Sequence, residues 1–112
     1  MSKKALIIVD VQNDFCPGGA LAVPDGHLIV PIINDLQANG KFDVIVATQD
    51  WHPKNHGSFA STHPGKSPGD IVRLGTLPQI LWPDHCVQFT PGAEFVSTLN
   101  TDKIEKIVQK GT

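Results

Sequence analysis

The 112-residue sequence has few cysteines, no long apolar run and little net charge, and each shortage excludes a class of protein. Its two cysteines, Cys16 and Cys86, lie in unlike contexts and make no disulfide framework, so we expect free thiols. The apolar run at residues 5–9 is far too short to span a bilayer, and no signal-peptide cleavage pattern accompanies it. We therefore predict a cytoplasmic protein. The net charge of −2, with scattered Lys and Arg, favours neither nucleic acid nor a membrane as a partner.

The remaining composition, 40% hydrophobic and 18% charged, is typical of one globular domain spanning residues 1–112. Continuous apolar runs at 4–9 and 42–48 predict two strands covered on both faces, and residues 104–108 predict a third, less regular one. A helix is predicted at 27–39, between the first two strands. Its core-facing stripe comprises Leu28, Ile29, Ile32, Ile33 and Leu36. This order predicts an α/β fold with an open, mostly parallel sheet and flanking helices.

Three other segments carry weaker signals. Residues 12–26 contain turn signals on both sides of a short apolar piece, which predicts a long structured loop. Residues 56–81 are rich in Gly, Pro, Ser and His, and they predict a loop with at most a helical turn near 75–81. Residues 91–99 predict a short helix.

Polar side chains stand where the first two strands end. Asp10 and Asp50 occupy these ends, and ligands of open α/β sheets bind at that edge. Asp50 and His52 leave an extended backbone on the same face, and His85 lies in a second polar-aromatic stretch at 82–86. Two histidines and a carboxylate suit zinc, iron or manganese. The alternative is that Asp50 caps a turn and His52 merely packs beside Pro53.

Four stretches together resemble the nicotinamidases, which are cysteine amidohydrolases of the isochorismatase-like hydrolase superfamily. They are Ile8–Phe15, Gly18–Val23, Gln49–Phe59 and Trp82–Gln88. The resemblance implies the isochorismatase-like fold and a role in NAD salvage, with hydrolysis of the small molecule nicotinamide to nicotinate and ammonia. It also implies a cysteine nucleophile, Asp10 as the base and Lys110 as the third member of the triad. Without the resemblance, each residue has a simpler interpretation. A single Asp after a strand is more often a turn or cap residue, and a single Lys near a terminus is usually solvated.

The resemblance further implies that Asp50, His52 and His85 bind a divalent metal ion that holds the pyridine nitrogen of the substrate. His56 either orients this loop as a hydrogen-bond donor or serves as an extra ligand, and we favour the first role. Phe15 and Trp82 resemble the aromatic walls around the substrate ring, although core aromatics give the same signal. Assembly into a homo-oligomer is left open.

The sequence departs from the family in one respect. The family's nucleophile lies in a Gly-x-Ala-Thr-Asp-x-Cys-Val-like turn, which residues 1–112 do not contain. Neither Cys16 nor Cys86 is placed before a helix that could lower its pKa, so we assign neither as the nucleophile. The expectation is an amino-terminal portion of a nicotinamidase, apparently truncated and inactive alone. The alternative is a non-catalytic metal-binding remnant.

Overall fold

The computed structural model describes residues 2–112, and a parallel sheet forms the centre of the fold. The elements in chain order are β1 (Ala5–Val9), α1 (Ile29–Asn39), β2 (Val44–Asp50), β3 (Ile71–Leu74), β4 (Leu77–Ile80) and β5 (Lys106–Lys110). Strands β1, β2 and β5 form the parallel sheet in that order, and β3 and β4 form a separate antiparallel hairpin. The predicted α/β architecture, the three parallel strands and the intervening helix are confirmed.

One face of the parallel sheet carries the core. Ile8, Ile45 and Ala47 point to this face and pack with Val30 of α1 and with Leu99. The prediction that the apolar strands are covered on both faces is wrong for β1, because Ile7 and Val9 on the opposite face are 61% and 60% exposed. Among residues 2–112, the helix and the 95–99 segment cover only the first face.

The predicted core-facing stripe of α1 is also wrong in part. Leu28, Ile29, Ile32 and Leu36 are exposed, whereas Val30 and Gln37 are buried and Ile33 is half-buried. Two polar side chains explain this rotation. The Asn34 amide donates to the Thr98 carbonyl and accepts from the Asn100 amide, and Gln37 donates to the Asn100 carbonyl. The helix is apolar on more than one side. These contacts stabilise the orientation in which Val30 and Ile33 face the sheet.

Two local predictions fail. Residues 75–81 form no helical turn, because Gly75, with φ of +63°, and Thr76 make a two-residue hairpin turn between β3 and β4. Residues 91–99 form only one 3₁₀ turn, Pro91–Ala93. Beyond it the chain extends, since Phe95 pairs with Gln12 and the Val96 amide donates to the Val11 carbonyl. Long-range pairing therefore replaces the predicted helix.

No helix within residues 2–112 has both the length and the apolar character needed to cross a membrane. The cytoplasmic location itself stays a prediction.

Candidate metal centre and catalytic pair

The carboxyl edge of the sheet brings together three charged residues from the ends of its three strands. Asp10 follows β1, Asp50 ends β2, and Lys110 ends β5 in register with Asp50. Lys110 Nζ donates to Asp10 Oδ2 at 2.8 Å and to Asp50 Oδ1 at 2.5 Å. The pairing of Asp10 with Lys110, one hundred positions apart, matches the predicted catalytic pair in location; their roles stay predictions.

Asp10 is held in an unusual conformation. Its φ of +54° lies in the left-handed region, which is costly for a residue with a β-carbon. Its Oδ1 accepts a hydrogen bond from Thr48 Oγ1 at 2.7 Å, while Oδ2 faces Lys110. Burial lowers the pKa of Lys110, but the hydrogen bonds to Asp10 and Asp50 outweigh burial and leave that pKa raised. The lysine therefore remains a cation between two carboxylates.

Asp50, His52 and His85 form a second group directly beside this pair. One ligand atom from each lies within 4.8 Å of the others, and both histidines are buried. His52 Nδ1 lies 2.7 Å from the Gly111 carbonyl and His85 Nδ1 lies 2.8 Å from the Pro83 carbonyl. A carbonyl only accepts, so both rings carry their proton on Nδ1 and leave Nε2 free as a ligand. This arrangement fits a divalent metal ion.

Backbone pairing explains how two distant stretches supply the histidines. The His52 amide donates to the Cys86 carbonyl at 2.9 Å, and the Gln88 amide donates to the His52 carbonyl at 2.8 Å. These bonds form a parallel bridge between His52 and Val87. The 85–88 segment therefore continues the sheet edge beyond β2, which places His85 next to His52.

His56 stacks on the site without joining the ligand group. Its ring centroid lies 4.2 Å from that of His52. Its Nδ1 accepts from the Ser58 amide at 3.3 Å and lies 2.6 Å from Ser58 Oγ. Burial, followed by the neighbouring His52 and His85, lowers the pKa of His56. His56 lies outside the Asp50, His52 and His85 group, and its orienting role stays a prediction.

The two predicted substrate walls differ in position. The Phe15 ring lies 5.7 Å from that of His85 and lines a cavity of about 350 Å³ together with Asp10, Cys16 and Ile29. Trp82 is 42% exposed and forms a backbone bridge with Phe59. The Phe59 ring in turn packs against His52 and His85. Both substrate-binding roles stay predictions, and Phe15 has the more direct geometry.

Neither thiol has the environment of a nucleophile. Cys86 is completely buried, and burial followed by the charge of Asp14 raises its pKa to about 12. Burial also raises the pKa of Cys16. A nucleophilic cysteine requires a lowered pKa, so the geometry agrees with assigning neither residue.

Two polar residues that hold the site in place, Gln12 and Asp14, lie in the Ile8–Phe15 stretch, but neither was assigned a role from the sequence. Asp14 accepts from the Cys86 amide at 2.7 Å and from the Ala20 amide at 3.1 Å, and so anchors the segment that carries His85. Gln12 is completely buried against the Asp50 backbone. Both side chains bind backbone groups far away in sequence, and a one-dimensional pattern does not show such partners.

Comparisons of the sequence and the fold with known proteins show which family the chain belongs to. The chain is 54% identical over 107 residues to a nicotinamidase of Acinetobacter baylyi, and the match covers 96% of this chain and 49% of that protein. Its fold superposes with a TM-score of 0.91 on a nicotinamidase/pyrazinamidase structure from Acinetobacter baumannii. That pair is 50% identical, and the match covers 99% of this chain and 53% of that one.

A structure of a Pyrococcus horikoshii pyrazinamidase in complex with zinc gives a TM-score of 0.69 at 44% identity, covering 99% of this chain and 53% of that one. The chain thus spans about half the length of the curated relatives it matches. The isochorismatase domain profile matches residues 4–112, a span that includes the whole parallel sheet and all the residues of the candidate site. On this evidence the chain belongs to the isochorismatase family.

Proposed function

We propose that this chain supplies the metal-binding and proton-transfer part of a nicotinamidase-type amidohydrolase, which converts nicotinamide and water to nicotinate and ammonia. The observation that carries the proposal is the position of Lys110 Nζ between Asp10 and Asp50, beside His52 and His85. The names of the matched relatives support nicotinamide, a small molecule of NAD salvage, as the substrate. Neither nucleic acid nor a membrane enters the proposal.

Asp50, His52 and His85 would hold the metal ion, for which zinc, iron and manganese are the candidates. The zinc complex of the Pyrococcus horikoshii pyrazinamidase supports a divalent ion. When bound, the ion would act as a Lewis acid that orients the pyridine ring through its nitrogen. The protein's own part is to hold the Nδ1–H of each ring on the carbonyls of Gly111 and Pro83, so that Nε2 of the neutral ring would be the atom that faces the ion.

Proton transfer would fall to Asp10. A thiol is only a few per cent ionised at neutral pH, so a carboxylate beside it must take the proton and later return it to the leaving ammonia. Asp10 already accepts hydrogen bonds from Thr48 and Lys110, and a remaining lone pair of its carboxylate would be available to take the thiol proton. The Lys110 cation would favour the thiolate electrostatically. Phe15, whose ring lies 5.7 Å from that of His85, would be an aromatic wall beside the substrate ring.

A second candidate function is metal binding without turnover. Residues 1–112 contain no family-like cysteine turn, and the Cys86 thiol is held protonated by a pKa of about 12. On this alternative the chain keeps the metal site and performs no hydrolysis. The nucleophile of the first proposal would have to come from sequence outside these residues.

Ammonia release from nicotinamide distinguishes the two. The 112-residue chain alone should release none above a metal-only blank. A chimera that joins it to the carboxyl-terminal half of the Acinetobacter baylyi relative should be active, and Asp10→Asn should abolish that activity. His27→Ala, outside the site, is the matched control and should have no effect.

An inactive chimera that binds zinc would favour the second candidate. Turnover by the 112-residue chain that disappears in Cys86→Ala would contradict both, because Cys86 would then be the nucleophile.

A further inference from the structure

Gln12 makes three hydrogen bonds at the sheet edge although none of its surface is exposed. Its Nε2 donates to the Asp50 carbonyl at 2.9 Å and to the Ala93 carbonyl at 2.8 Å. Its Oε1 accepts from the Asp50 amide at 2.9 Å. One side-chain amide therefore satisfies both the backbone N–H and the backbone C=O of a candidate metal ligand.

The reason for this contact lies in the way β1 ends. Strand β1 stops at Val9, and Asp10 turns into the left-handed region, so the strand no longer runs alongside Asp50. On the other side β5 continues, and the Trp51 amide donates to the Lys110 carbonyl. Without Gln12, the N–H and C=O of Asp50 on the β1 side would be left unpaired in the interior.

We propose that Gln12 is a positioning residue of the metal centre, whose amide replaces the missing strand and fixes the direction of the Asp50 side chain. Holding both backbone groups of Asp50 fixes its Cα–Cβ bond, and so sets the carboxylate between Lys110 and His52. The third hydrogen bond of Gln12, to the Ala93 carbonyl, connects its side chain to the 3₁₀ turn at Pro91–Ala93. The inference rests on the proposed function, since it presumes that Asp50 binds a metal ion.

Gln37 offers a matched control within the same chain. It is a second buried glutamine, on α1, and its Nε2 donates to the Asn100 carbonyl. Its Oε1 has no partner among the residues that the structure describes. Its contacts are with the 100–103 segment rather than the metal centre, so its replacement tests the loss of a buried amide by itself.

The test compares Gln12→Met with Gln37→Met in the 112-residue chain. Methionine keeps the approximate volume of glutamine and removes the amide. Both variants should unfold at lower urea concentration than the parent chain. Only Gln12→Met should raise the Kd for cobalt(II), measured by titration with cobalt chloride, by about tenfold or more. The visible absorption of the bound cobalt should also change in Gln12→Met alone, because the Asp50 oxygen would be displaced.

A second measurement on the parent chain does not depend on either variant folding. Zinc should slow the exchange of the Gln12 side-chain amide protons with solvent, followed by NMR, and leave those of Gln37 unchanged. Equal cobalt affinity in the two variants would overturn the inference, and so would unchanged Gln12 exchange in zinc. Failure of the parent chain to bind cobalt or zinc would overturn the metal centre itself and the inference with it.

Discussion

Gly111 lies against the His52 ring, so a single added methyl group tests whether that ring is a metal ligand. Its carbonyl accepts the Nδ1 proton of His52 at 2.7 Å, and its own φ is +65°. A β-carbon at this position would overlap His52 Cε1 and would lie 2.6 Å from Nδ1. The change to make is Gly111→Ala.

The magnitude follows from two costs. An alanine in the left-handed region costs about 1 kcal/mol of unfolding free energy. The second cost is steric, because ordinary contact begins near 3.4 Å. The nearest ring atom is Cε1, so the His52 ring or the chain end must move by roughly 1 Å. Either movement breaks the Nδ1 bond that orients the ring, and a ligand bond of about 2.0–2.1 Å does not tolerate such a shift.

Gly75→Ala is the matched control, because Gly75 has nearly the same φ, +63°, and nothing lies within 4 Å of an added β-carbon. Urea unfolding should show a loss of about 1 kcal/mol in Gly75→Ala and a larger loss in Gly111→Ala, because only the second variant adds the steric cost. Zinc titration calorimetry should show a Kd raised at least about tenfold in Gly111→Ala, equivalent to about 1.4 kcal/mol, and unchanged in Gly75→Ala. Equal zinc affinity in the two variants would refute the reasoning that His52 binds metal from the position fixed by Gly111.

Three further predictions follow from the same structure. His52→Ala should weaken zinc binding at least about tenfold while the exposed control His27→Ala leaves it unchanged, and equal zinc content after dialysis would contradict the ligand assignment. Ellman's reagent should modify Cys16 before Cys86 in the folded chain, since Cys86 is completely buried and its pKa is raised to about 12; equal rates would contradict that burial. The exposed apolar face of the sheet should cause self-association, which sedimentation would detect and Ile7→Lys should reduce. A monomeric parent chain with a cooperative melt would contradict this prediction.

The strands and the closeness of Asp50 to His52 could be predicted because each depends on a local pattern. The apolar runs before Asp10 and Asp50 indicated where two strands end, and parallel strands share one carboxyl edge. The i, i+2 spacing of Asp50 and His52 placed both on one side of an extended chain. Lys110 was located through the resemblance to a family, since a lysine near the last strand has no distinguishing signal of its own.

The errors arise where distant partners decide local structure. Phe95 and Val96 have apolar spacing that suits a helix, yet they pair with residues 11–12 and extend. The α1 stripe was predicted from hydrophobicity alone, whereas Asn34 and Gln37 rotate the helix by binding the backbone at 98–100. Gln12 shows the same limit, because its partners Asp50 and Ala93 lie 38 and 81 positions away.

Asp50 connects the two parts of the site through different oxygens, and this arrangement yields a last prediction. Its Oδ1 accepts from Lys110, while Oδ2 lies 3.5 Å from His52 Nε2. Asp50→Asn should therefore weaken zinc binding and also loosen Lys110, whereas Asp10→Asn should loosen Lys110 and leave the zinc Kd unchanged, because each change removes one of the lysine's two carboxylate partners. This loosening can be measured as faster labelling of Lys110 by an amine-reactive reagent, with Lys3 as the internal reference. If Asp10→Asn weakened zinc binding as much as Asp50→Asn, Asp50 would not be the specific link, because both carboxylates would then act on the metal only through their charge.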